Sequence, residues 1–367
     1  MHRFLVVVLA LVCIFPHPCA AAQNEPSLEE MIGSMIMVGF RGLEAPQSVI
    51  DAVAAGRLGG VILFDRSPKK SGLYNIESPS QVKKLVSSLQ KASPRTLLVA
   101  VDQEGGKVRR LKSERGFQPL PSAEQMGRMS PDNVRSLGFR AGREMAELGI
   151  NVDLAPVVDL RRSAKSPGLG DAGRLFGADA AQVTPRALAF AEGLYRAGVL
   201  PALKHFPGLG SAGKDSHHEL PDVTQTWSRE ELAPYAEAFR RGWPGMVLVA
   251  HVYHRGLDAN LPSSLSPAVV DQLLRRGLGW QGVVVSDDLQ MGAVAGSSLE
   301  ERVRLAVLAG NDILLFGNNL SYDPLLHDKV FQALASLVRE GRVSPERLKA
   351  SWRRIEAMKR GLAQSRG

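Results

Sequence analysis

"GVLPALKHFPGLGSAGKDSHHELP", residues Gly198 to Pro221, joins two kinds of sequence with no linker between them. Up to Phe206 it is an apolar run of strand length that ends in Lys204 and His205. Beyond Phe206 it gathers Lys214, Asp215, His217, His218 and the glycines Gly208, Gly210 and Gly213. A continuous apolar strand, unlike an alternating one, is buried on both faces, as in a parallel sheet covered by helices. A loop rich in glycine and charge is costly to order, so it is expected to do more than connect.

Seven further runs repeat the first half of this pattern: "MIMVGF" (35–40), "GGVILF" (59–64), "LLVAVD" (97–102), "VDLAPVVDL" (152–160), "GMVLVAHV" (245–252), "GVVVSDD" (282–288) and "DILLF" (312–316). Helical patterns lie between them. "SPDNVRSLGFRAGREMAELG", "TPRALAFAEGLYRAG" and "SPAVVDQLLRRGLG" each open on Ser or Thr with Pro next and end on Gly, the asymmetry expected of helix caps. Eight strand and helix units in one chain predict an α/β fold, a single-domain (β/α)8 TIM barrel. A doubly wound sheet is the competing architecture, but no GxGxxG follows the first strand. The last stretch, from Asp323 to Leu362, reads as two amphipathic helices that complete the outer ring.

Residues 1–22 have a basic start, an apolar stretch from Phe4 to Phe15 and small residues up to Ala22, the layout of a secretory signal peptide. The expected domains are therefore a signal peptide over 1–22 and a barrel with C-terminal helices over 23–367. Export predicts a periplasmic or secreted protein, with no stable membrane insertion once the signal is cleaved. Both cysteines, Cys13 and Cys19, fall in the signal, which removes disulfides and cysteine-zinc sites from the mature chain. The formal net charge is +8, but the basic residues are interspersed with acidic ones and no aromatic-interleaved basic patch occurs, so nucleic acid is not the expected partner.

Catalytic groups of such barrels sit at the carboxyl ends of the strands. Here Asp102, Lys204, His205, His251, Asp287 and Asp288 fall at those ends, with His254 nearby. Several have ordinary readings: a strand-end carboxylate is often the cap of the next helix, His217 and His218 fit a solvated loop, and His251 fits a satisfied core-edge histidine. Lys204 differs, because an ammonium inside an apolar strand needs an anionic partner or a ligand. Asp287, on a rigid strand end, suits a nucleophile. Asp215 and His217 suit a dyad in which the carboxylate fixes the tautomer of the imidazole and favours its protonated form. One anchored carboxylate and one proton donor are the minimum for double-displacement cleavage of a glycoside.

Five segments, "VDQEGGKVRRL", "NVDLAPVVDL", "GRLFGAD", "LKHFPGLGSAGKDSH" and "GVVVSDDLQMGAV", agree in order and spacing with glycoside hydrolase family 3. From Met31 to Phe316 the chain resembles the bacterial β-N-acetylglucosaminidase branch of that family. The resemblance implies a retaining β-N-acetylhexosaminidase acting on terminal N-acetylglucosamine, with muropeptides or related envelope glycans as the carbohydrate partner and no cofactor or metal. It implies Asp287 as nucleophile, His217 as acid/base and Asp215 as its orienter. It further implies that Asp102, Arg110, Arg174, Lys204 and His205 bind the hydroxyls of the terminal sugar. The loop after Lys204 becomes a flap, with Gly208, Gly210 and Gly213 expected as its hinges.

This chain departs from the pattern at Lys107, where arginine is frequent, at Leu209, where histidine is common, and at Leu175, where a smaller residue is usual. These departures bear on the shape of the sugar pocket. Three other readings compete. A β-glucosidase or β-xylosidase of the same family needs a following domain for its acid, and "KDSH" favours the histidine version. A metal-dependent hydrolase would want a His-x-His pair on the first strand, which "MIMVGF" lacks. A non-catalytic glycan-binding barrel of the envelope is opposed by the joint presence of Asp287, Asp215 and His217.

Overall fold

The computed structural model describes residues 25–67, 72–162 and 167–365; the expected signal peptide lies outside them. Eight parallel strands, β1 (Ile36–Gly39), β2 (Gly60–Ile62), β3 (Leu98–Val101), β4 (Val152–Asp153), β5 (Leu200–Phe206), β6 (Met246–Val249), β7 (Val284–Ser286) and β8 (Leu314–Phe316), run in the order β8-β1-β2-β3-β4-β5-β6-β7. The ring joins through a parallel bridge between Val285 and Ile313 and the bond from Ser286 N–H to the Ile313 carbonyl at 3.0 Å. Every residue of the eight strands is buried, as their apolar runs require. The sequence thus predicted the (β/α)8 barrel and all eight strand positions.

Helix starts follow their caps. Ser78, Ser130, Asp179 and Ser298 each accept from the backbone N–H three residues on, opening the helices Pro79–Ala92, Pro131–Glu147, Ala180–Arg196 and Leu299–Ala309. The two C-terminal helices are Leu326–Arg339 and Pro345–Ser365. A helix the sequence reading did not name, Leu28–Ser34, precedes β1 and packs against both of them. Its start is set by a Ser27/Glu30 capping box.

One predicted strand is shorter than its apolar run. "VDLAPVVDL" pairs regularly only over Val152–Asp153, because Pro156 has no N–H to give the ladder. The chain beyond still tracks β5, with Val158 N–H donating to the Lys204 carbonyl at 2.7 Å. That register brings Asp159 beside His205.

Candidate active site

Above the carboxyl ends of the strands lies a cleft of about 1090 Å³. All eight predicted site residues line it: Asp102, Arg110, Arg174, Lys204, His205, Asp215, His217 and Asp287.

One wall is a continuous chain of charge, running Arg110, Asp102, Lys204, Glu104, Arg174. Lys204, inside the fully buried β5, places Nζ 2.9 Å from Asp102 Oδ1 and 2.6 Å from Glu104 Oε1. These are the anions that its position in an apolar strand demanded. Arg110 donates to Asp102 Oδ2 at 2.9 Å, and Arg174 grips Glu104 with two bonds of 2.7 Å. Burial pushes the two carboxyls up, but the neighbouring cations outweigh it: Asp102 lies well below the ordinary range and Glu104 at about 2. Removing one partner from such a buried pair costs about 3–5 kcal/mol. The sequence reading missed Glu104, although it lies in the quoted "VDQEGG"; the missing anion for Lys204 was the signal that pointed to it.

His205 is fixed at both nitrogens. Nδ1 lies 2.6 Å from Asp159 Oδ2 and Nε2 lies 3.4 Å from Arg174 Nη2, so Nδ1 donates and Nε2 accepts. Asp159 also accepts the N–H of His205 and of Leu209 at 3.2 and 2.7 Å, which makes it the post around which the loop turns. It too escaped the sequence reading as a site residue.

Asp287 continues β7. Its N–H donates to the Val249 carbonyl at 2.9 Å, and its Oδ1 accepts the Asp288 N–H at 2.9 Å. Among the described residues no hydrogen bond reaches its Oδ2. Burial works against its charge, but the rings of His251, His205 and His217 and the Asp288 N–H together hold the Asp287 carboxyl below the usual carboxylate range. His251 beneath it is buried, which lowers its pKa. Nε2 faces the Asp288 carbonyl at 2.9 Å and must donate, while Nδ1 takes the Ser264 hydroxyl at 2.6 Å. It is the satisfied core histidine of the ordinary reading. Asp288 accepts the N–H groups of Gln290 and Gly317 at 3.0 and 2.9 Å, which locks the turn after Asp287.

The opposite wall carries the dyad. His217 Nδ1 lies 2.7 Å from Asp215 Oδ1, and the His217 N–H reaches the same oxygen at 3.0 Å. The Asp215 hydrogen bond and charge raise the pKa of His217 above its ordinary value, while His217 holds Asp215 down at about 2. The His217 side chain is 50% exposed, at the mouth of the cleft. His254 does not join the site: its ring meets Trp227 edge-on at 5.1 Å.

The three expected hinge glycines differ in their surroundings. Gly208 has φ +137° and a Cβ there would lie 2.4 Å from Glu231 Oε2; one at Gly210 would lie 1.8 Å from the Leu160 carbonyl oxygen. These two glycines permit close packing of the loop base, and of the three only Gly213 stands in open space. The departures from the pattern also separate. Leu209 lines the cleft, whereas Leu175 is fully buried away from it, and both belong to one apolar cluster under the loop. Lys107 borders the cleft and donates to the Asp171 carbonyl at 2.9 Å.

Residues 27–358 match the model of the glycosyl hydrolase family 3 N terminal domain. The chain belongs to this family. The matched span is longer than the Met31 to Phe316 of the motif comparison. A β-hexosaminidase of Tolumonas auensis is 34% identical over 291 residues, covering 77% of this chain and 83% of that protein. Beta-hexosaminidase LpqI of Mycobacterium tuberculosis is 34% identical over 361 residues, 94% of this chain and 86% of that one. Among solved structures, a family 3 β-N-acetylglucosaminidase from Paenibacillus sp. str. FPU-7 superposes with a TM-score of 0.84 at 34% identity. That match covers 92% of this chain, which spans 63% of that longer protein. Among the described residues no three His, Cys, Asp or Glu side chains converge as a metal site would require, and no helix is long and apolar enough to cross a membrane.

Proposed function

We propose that this family 3 hydrolase is a retaining exo-β-N-acetylglucosaminidase that releases terminal β-linked N-acetylglucosamine, with cell-wall-derived muropeptides or related envelope glycans as its source. The observation that carries this reading is one cleft shared by a strand-held carboxylate with an uncommitted oxygen, Asp287, and an Asp215-oriented imidazole, His217. The names of the relatives support the sugar class. The exposed mouth at His217 and the chain of charge opposite suit a chain end held by its hydroxyls.

In the first step Asp287 Oδ2 attacks the anomeric carbon as the bond from that carbon to the aglycone oxygen breaks, and the protonated His217 gives the Nε2 proton to the leaving oxygen. In the second, His217 takes a proton from water, the water oxygen bonds to the anomeric carbon, and the ester electrons return to Asp287. Asp102, Arg110, Arg174, Lys204 and His205 hold the sugar through its hydroxyls, and Glu104 holds Arg174 and Lys204 in place. The signal-like residues 1–22 support export, so we assign the protein to the periplasm or the medium. The test compares nitrophenyl N-acetylglucosaminide with the glucoside and xyloside. Preference for the acetamido sugar is expected; preference for either of the others would overturn the assignment.

A further inference from the structure

Catalysis by two segments far apart in sequence requires something to set their separation. The Asp287 side is rigid: the Asp288 carbonyl accepts the Met291 N–H and the His251 Nε2–H, both at 2.9 Å, and the Asp288 carboxylate accepts two more backbone N–H groups. Out of that locked turn the chain enters a short helical turn, Gly292–Val294. The Gly292 N–H donates to the carbonyl of His217 at 3.2 Å, and the Ala293 N–H to that of Ser216 at 3.4 Å. A Cβ at Gly292 would lie 2.4 Å from the His218 carbonyl oxygen, 2.7 Å from its carbon and 3.0 Å from the His217 oxygen. All three are backbone atoms, which cannot swing aside as a side-chain end does. The φ of Gly292 is not in the left-handed region, so the glycine is required by closeness of approach alone.

We propose that Gly292 is a positioning residue: a backbone latch that seats the His217 loop against the nucleophile segment and so sets the acid/base at its working distance. Its place in the sequence, five residues past Asp287 in "SDDLQMGAV", follows from this role. The dyad alone cannot do the same work, because Asp215 and His217 ride on the same loop. The loop base is fixed separately, by Asp159 on Leu209 N–H and by Glu231 on the Ser211 hydroxyl at 2.7 Å. The exposed tip reaches the nucleophile segment through the Gly292 and Ala293 amides.

The proposal rests on His217 being the acid/base and Asp287 the nucleophile, and the experiment separates the two levels. Gly292→Ala is measured beside wild type, His217→Ala and Gly296→Ala, the last at a position where a Cβ meets nothing within 4 Å. Substrates are a nitrophenyl N-acetylglucosaminide, which leaves without protonation, and an alkyl N-acetylglucosaminide, which needs it. A displacement of about 1 Å costs on the order of 100-fold. The latch therefore predicts a loss of about 100-fold in kcat/KM on the alkyl glycoside, a loss of less than about 5-fold on the nitrophenyl one, and no change for Gly296→Ala. Equal losses on both substrates, or none, overturn the latch. Failure of His217→Ala to discriminate the two substrates overturns the underlying reading instead. Should Gly292→Ala fold poorly, hydrogen exchange on the wild type decides: the latch predicts that the Gly292 amide exchanges about 100-fold more slowly than that of Gly296, and equal rates contradict it.

Discussion

The two walls of the cleft are built by opposite means. On the charge-lined side, Lys204, Arg110 and Arg174 meet Asp102 and Glu104 at 2.6 to 2.9 Å, with Lys204 and Glu104 buried and Lys204 on a barrel strand. On the dyad side, His217 is half-exposed on a loop tip and is tied to the nucleophile segment by two backbone hydrogen bonds. The first wall has nowhere to move, which suits recognition of a fixed pattern of hydroxyls. The second keeps its charge near water, where a proton can be gained and lost within each turnover.

The largest effect is expected at Asp287, which stands between the walls. Asp287→Asn removes the proposed anionic nucleophile and is expected to lower kcat by about 10⁴-fold with the fold intact, as seen by an unchanged melting temperature. His217→Ala comes next: a loss of about 10²- to 10⁴-fold on alkyl glycosides, with nitrophenyl substrates largely spared because they need no acid. A uniform loss over both substrates would assign His217 to binding.

Lys204→Met tests the rigid wall. It leaves Asp102 and Glu104 facing each other without their shared cation, so destabilisation of about 3–5 kcal/mol is expected. An unchanged denaturation midpoint would show that this chain of charge does not bear on stability, and the contrast between the walls would fall. No such loss is expected from Asp215→Asn, whose partner is half-exposed. Its effect is on pH. In the proposed mechanism His217 is protonated and its pKa is raised by Asp215, so activity is expected to persist until pH climbs through that raised value; Asp287 is ionised and its pKa is lowered, so activity is expected to fail only below the usual carboxylate range. The asparagine takes away the anion that favours the imidazolium, and the alkaline limb of kcat/KM moves to lower pH while the acid limb stays. The smallest effect separates the loop base from the tip: Gly210→Ala destabilises by about 1–3 kcal/mol through overpacking, and Gly213→Ala by less than about 0.5 kcal/mol.

The barrel was legible because its eight strands are continuous apolar runs alternating with helices, and the fingerprint of the competing doubly wound sheet is missing after the first of them. The positions of Asp102, Lys204 and Asp287 were legible for a related reason: polar residues at the ends of such runs have to face the cleft. What the sequence hid was contact between distant segments. Glu104 looks like any loop carboxylate until Arg174, seventy residues later, closes on it. Gly208 and Gly210 have the composition of a hinge and the surroundings of a packed base, because a missing side chain permits motion and close approach alike. Gly292 was invisible for the same reason: only the His217 backbone opposite explains it.

The most direct test is to trap the intermediate. The protein is incubated with a fluorinated N-acetylglucosaminyl donor whose deglycosylation is slow, digested, and the labelled peptide sequenced by mass spectrometry. Double displacement through Asp287 predicts one sugar, attached through an ester to Asp287, and its disappearance in Asp287→Asn. A sugar on Asp288 or elsewhere, or turnover that inverts the anomeric configuration with no adduct at all, would contradict it.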